Sequence, residues 1–117
     1  MATNTFKIKS NDAMPASAST FDTLYTVPSS TTTVVLGLIL CNVHSTSVTA
    51  SVKMSSNTVD TETNVDTLVC KDVSIPQGSS LEVLNGSKLV LQTTDLLKID
   101  CSVSAKIDAT LSIMEIT

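Results

Sequence analysis

The sequence predicts an all-β protein, a single antiparallel β-sandwich of jelly-roll-like or immunoglobulin-like type with an extended N-terminal segment. Three observations predict it. Apolar residues alternate with Ser and Thr, which together supply 35 of the 117 residues, so strands with one apolar and one hydroxyl-bearing face run along most of the chain. Turn residues interrupt these runs roughly every eight to twelve residues, marking about eight short strands. No window carries the 3.6-residue apolar stripe of a helix. The length fits one domain, able to bury roughly two-thirds of its unfolded surface without disulfide or metal.

Residues 1–20 read as an arm or extended segment, and residues 21–117 as the sandwich domain. Within the arm, Phe6 and Ile8 alternate with Lys7 and Lys9 in a short strand pattern, and Asn11 to Thr20, with Met14-Pro15 inside it, reads as loop. Leu24 to Val27 is the first strand of the sandwich, closed by Pro28-Ser29-Ser30. Thr33 to Val43 is the longest and is apolar on both faces: Val34, Leu36, Leu38 and Leu40 on one, Val35, Ile39, Cys41 and Val43 on the other. Two apolar faces mark a central strand, or one covered by another chain. Gly37 in its middle points to a bulge or a close backbone approach.

Ser47 to Ser55 alternates cleanly, with Val48, Ala50, Val52 and Met54 on the core side. Ser56 to Asn64 is a polar, acidic loop. Val65 to Ile75 is the next strand, ended by the turn Pro76-Gln77-Gly78-Ser79. Leu81 to Leu84 and Lys88 to Gln92 flank Asn85-Gly86, the pair that a two-residue hairpin favours because its central residues need positive φ. After Thr93-Thr94-Asp95, the run from Leu97 to Val103 alternates. The last strand puts Ile107, Ala109, Leu111 and Ile113 on the core face, with Met114 and Ile116 on the opposite one. Lys53, Lys98 and Lys106, set in apolar strands, read as guards of sheet edges.

Composition bounds the function. Charged residues are 15%, net charge is −4, and every basic residue is Lys. Without Arg forks, a basic cluster or more than three aromatic rings for stacking, nucleic-acid binding is not expected. The longest apolar run, Val34 to Cys41, is far short of a membrane helix, and Met1 to Ser10 has no apolar signal core. The chain reads as made in a reducing cytosol, with Cys41, Cys70 and Cys101 as free thiols in strands.

Catalysis is not expected. The lone His44 lies between two strands, no Ser sits in a nucleophile elbow, and no cofactor or metal is implied. Glu62, Glu82 and Asp95 could meet as paired carboxylates, but sugar sites usually add aromatic platforms. The acidic stretch Asp60 to Asp66 offers oxygen ligands to Ca²⁺ yet lacks the central Gly and terminal Glu of an EF-hand, so a solvated loop is the simpler reading.

Three stretches, Tyr25-Thr26-Val27-Pro28-Ser29-Ser30-Thr31-Thr32-Thr33, Ile75-Pro76-Gln77-Gly78-Ser79-Ser80-Leu81 and Leu111-Ser112-Ile113-Met114-Glu115-Ile116-Thr117, together resemble the small β-sandwich virion structural proteins of marine tailed bacteriophages, such as those infecting cyanobacteria. The resemblance covers residues 20–117 and implies a non-enzymatic virion component, made in the host cytoplasm and present in many copies. The leading expectation is a capsid decoration, or cement, protein bound to the major capsid protein. Tail, baseplate or fibre proteins are the alternative partners, and a carbohydrate-binding module is a third reading. Self-association as a trimer is implied by the resemblance alone. The expected contact surfaces are residues 1–20 with Phe6, Ile8 and Met14, the face of Val34, Leu36, Leu38 and Leu40, and the terminal Met114 and Ile116.

Overall fold

A computed structural model describes residues 3–12, 21–59, 62–103 and 105–117. The described residues form nine strands and no helix: β1 (Asn4–Asn11), β2 (Asp22–Thr26), β3 (Thr32–Asn42), β4 (Val48–Ser55), β5 (Thr67–Ile75), β6 (Ser80–Glu82), β7 (Leu89–Leu91), β8 (Leu96–Cys101) and β9 (Ile107–Ile116). One sheet, sheet A, has the order β1-β9-β3-β6, with β7 also paired to β3; the other, sheet B, has the order β2-β8-β4-β5. All pairings are antiparallel.

β6 and β7 lie along successive parts of β3, opposite Ile39–Cys41 and Thr33–Val35, and act as one interrupted edge strand. Counted so, eight strands make two four-stranded sheets, and every connection except β4–β5 crosses between them. That is the connectivity of a jelly roll, which settles the choice left open by the sequence.

The alternation written in the sequence builds the core. From sheet A come Val35, Leu38, Leu40, Leu91, Ile107, Leu111 and Ile113; from sheet B come Val48, Val52, Ile75, Leu97 and Ile99, each at most 1% exposed. Ala50 and Ala109, also buried, are the small residues of this interior.

Several expectations change at the level of pairing. Gly37 does mark a bulge: Val35 pairs with Ile113 and Gly37 with Ser112, so Leu36 is an extra residue on β3. The extra residue inverts the faces beyond it. Val35 points inward before the bulge, Leu38 and Leu40 after it, and so the face proposed from Val34 to Leu40 is split. Leu38 and Leu40 are core residues, 1% and 0% exposed, and so are not accessible to a partner chain.

Asn85-Gly86 makes the expected tight turn, with φ of 48° and 86° and a Ser87 N–H to Leu84 carbonyl bond of 2.9 Å. It does not make a hairpin, because β6 and β7 both continue along β3 rather than pairing with each other. Lys53 and Lys98 guard no edge: they face each other on the central strands β4 and β8. Residues 4–11 of the N-terminal arm form β1, in register with β9 along its whole length. Met14 lies outside the described residues.

Candidate interaction surface

In an antiparallel pair, residues directly opposite share a face. Because Leu111 and Ile113 of β9 point into the core, Ser112, Met114 and Ile116 point outward. Pairing then carries that face across sheet A. Phe6 of β1 lies opposite Met114, Met114 opposite Val34 of β3, and Val34 opposite Val90 of β7. Four strands thus place four apolar side chains in one row on the outer surface. Its ends are open, Phe6 at 71% and Val90 at 61% exposure, while Val34 and Met114 between them are half-buried. Ile116 lies one step along β9, and Ile8, 67% exposed, one step along β1. Of the sequence-selected contacts, Phe6, Ile8, Val34, Met114 and Ile116 are therefore brought together, and Leu36 sits beside them at the bulge, half-buried.

The outer face of sheet B is different. Lys53, Lys98 and Thr23 form one row across β4, β8 and β2. Lys53 is 3.7 Å from Asp66 and 5.3 Å from the centre of the Phe21 ring. Next to it, Thr49, Ser51, Asp72, Asp100 and Ser102 line a pit of about 40 Å³, room for roughly one water. The outer face of sheet A thus carries an apolar row beside the polar Asp108, Thr110 and Ser112, whereas the centre of the outer face of sheet B carries paired lysines.

Two of the acidic side chains singled out in the sequence, Asp95 and Asp66, have structural partners. Asp95, 4% exposed, accepts bonds from the Ser56 hydroxyl at 2.6 Å and the Gln92 N–H at 2.9 Å, which pins the β7–β8 turn to the loop after β4. Glu82 instead lies opposite Ile39 on the outer face of sheet A. In the acidic loop, Asp66 accepts bonds from the Ser55 hydroxyl and the Ser56 N–H, which hold its carboxyl below the ordinary value. Among the described residues no group of three or more His, Cys, Asp or Glu side chains is placed to hold a metal ion. None of the three cysteines is in a disulfide.

Two polar groups escaped the sequence reading. Glu115 sits on the inward side of β9, 5% exposed, with Lys7 Nζ 2.8 Å from Oε1 and the Tyr25 hydroxyl donating to Oε2 at 2.5 Å. Thr33 Oγ1 lies 2.8 Å from the same phenol oxygen. Lys7 first, then Tyr25, holds the Glu115 carboxyl below its ordinary pKa. Burial first, and then the Glu115 bond, push Tyr25 up to about 12. Asn42, 1% exposed, donates to the Thr46 and Ile75 carbonyls and accepts the His44 N–H at 2.7 Å. The alternation of Glu115 with the buried Ile113 was the available signal for the first; nothing local marks the second.

The fold and the apolar row on one outer face define the class of this molecule: a jelly roll with an asymmetric surface. Solved structures of the same fold come from virus particles. A chain of the T13 particle of infectious bursal disease virus shares 13% identity at a TM-score of 0.51, covering 97% of this chain and 34% of that one. The VP2 subviral particle of that virus shares 10% identity at a TM-score of 0.55, covering 98% and 32%. At such identities the likeness is one of fold, and the chain spans about a third of the length of those it matches. No family model and no curated protein sequence matches the chain.

Proposed function

We propose that this chain is a virion structural protein, and specifically a decoration protein that lays the outer face of sheet A on an assembled phage capsid. The row Phe6, Met114, Val34 and Val90 carries the reading, because an apolar row crossing four strands on one outer face is a surface built for a protein partner. The jelly-roll fold, which this chain shares with chains of viral particles, supports a virion role. So does the resemblance to marine phage virion proteins. The low charge suits a surface covered in an assembly, and the major capsid protein is the partner proposed.

A cryo-EM map of the native particle tests this. Density at symmetric positions on the shell, with the outer face of sheet A buried, is the expected result. Density confined to the tail makes the chain a tail or baseplate protein instead. Absence from the particle overturns the virion reading.

A further inference from the structure

Sheet A has two edges, and they are built differently. The β6/β7 edge is broken after three residues by the 83–88 loop, a common way of blunting an edge. The β1 edge runs eight residues without a bulge or Pro, and none of its residues is buried.

The backbone groups of β1 can be accounted for one by one. Thr3 and Thr117 exchange both N–H···O bonds, at 2.9 and 3.0 Å. Bonded and non-bonded pairs alternate along an antiparallel ladder, so Thr5, Lys7, Lys9 and Asn11 bond to β9. Asn4, Phe6, Ile8 and Ser10 therefore turn their N–H and C=O groups to the open side. No strand among the described residues lies beyond them.

We propose that this edge pairs with itself: two copies of the chain join β1 to β1, antiparallel, about a two-fold axis at Lys7, and fuse their A sheets into one. The four open residues are spaced symmetrically about Lys7. With the axis there, Asn4 meets Ser10 and Phe6 meets Ile8 of the second copy, and every outward backbone group of both strands is paired. An axis at Ile8 leaves Asn4 unpaired and sets Lys7 against Lys9 twice; an axis at Phe6 leaves Ser10 unpaired.

The side chains fit the same register. On the outer face, Phe6 and Ile8, among the most exposed apolar residues of the molecule, cover each other twice. On the other face, Lys9 meets Thr5, and Lys7 meets Lys7. Lysine on an edge normally opposes pairing. Here Lys7 already reaches its own Glu115 at 2.8 Å, so the facing lysines arrive as two ion pairs rather than two bare cations. The pair is isologous, with the same patch used on both copies. It gives a mass distinct from that of the trimer implied by the resemblance. It also concerns the free protein, so its failure leaves the shell-docking reading intact.

Sedimentation equilibrium of the full chain at high micromolar concentration should give twice the chain mass. Ile8→Pro removes only an outward N–H, sparing the bonds to β9, and should give a folded monomer by circular dichroism. Phe6→Asn with Ile8→Asn, which leaves the backbone untouched, should weaken the dimer by tenfold or more even if the proline variant fails to fold. Lys7→Cys should oxidise to a covalent dimer, since non-bonded antiparallel pairs bring Cα atoms to about 4.5 Å. Phe6→Cys, facing Ile8, should cross-link no more than the wild-type chain. A monomeric or trimeric wild type, a dimer indifferent to the Phe6/Ile8 changes, or equal cross-linking at positions 6 and 7 would overturn the proposal.

Discussion

Glu115 shows how much of this molecule is decided by single side chains. It lies on the core side of β9 because its register puts it there, and an unpaired carboxylate in that position would be costly. Lys7 from β1 and Tyr25 from β2 make it tolerable, so one carboxylate links three strands across both sheets. Its pKa is lowered by these partners, so its contribution is complete above the ordinary carboxylate value of about 4.3 and is lost as pH falls through its own, lower value. The stability gap between wild type and Glu115→Gln in urea unfolding should therefore be constant near neutrality and close in acid. Tyr25 gives an independent reading of the same cluster. It is the only tyrosine, so absorbance titration of the chain should show phenol ionisation near 12 rather than 10. A raised value means that folding favours the neutral phenol, and this contribution is lost as pH rises through 12. Asn42 is the matching case at the other end of β3. Asn42→Ala strands the buried Ile75 carbonyl and frees the turn at His44, and should lower unfolding free energy by about 2 kcal/mol in urea.

Among the elements, β3 is the one on which the surface depends. Its bulge at Leu36 and Gly37 lets Val34 face outward while Leu38 and Leu40 face the core, so a strand with two apolar faces serves two purposes. The glycine itself is not strained. A methyl group at Gly37 would meet only Glu82 Oε1, at 3.8 Å, and its φ lies outside the left-handed region. Gly86, at φ of 86°, sits where an L side chain strains the backbone. Gly37→Ala should change unfolding free energy by less than about 0.5 kcal/mol, and Gly86→Ala should cost about 1 kcal/mol; equal effects would mean that the turn needs glycine no more than the bulge does. The turn at Asn85-Gly86 also shows why a correct local signal led to a wrong pairing. Positive φ at two successive residues is a property of those residues, whereas the partner of the next strand is chosen by the free edge of β3.

At the scale of the whole molecule, the jelly roll closes the chain on itself. β9, the last strand, lies between β3 and β1, so the middle of sheet A cannot form before the C-terminal strand is present, and the sheet is complete only when β1 pairs with it. Loop-closure entropy must be met before these contacts stabilise anything, and stopped-flow refolding should be slow for the size, in the range of milliseconds to seconds. The same closure sets the surface. β1, from the start of the chain, and β9, from its end, jointly build the apolar face with β3 and β7, so residues far apart in sequence form one row. The alternation of apolar with Ser and Thr residues fixed the strands, the turns and, except beyond the bulge in β3, the core-facing residues, because side chains on a pleated strand repeat every two residues whatever lies beside them. Which strands are neighbours, which edge is open, where Lys53 and Lys98 stand and which side of Leu38 meets the core were decided only by the tertiary structure. Those features depend on partners supplied by distant segments, and a period of two cannot say which partner a strand will find.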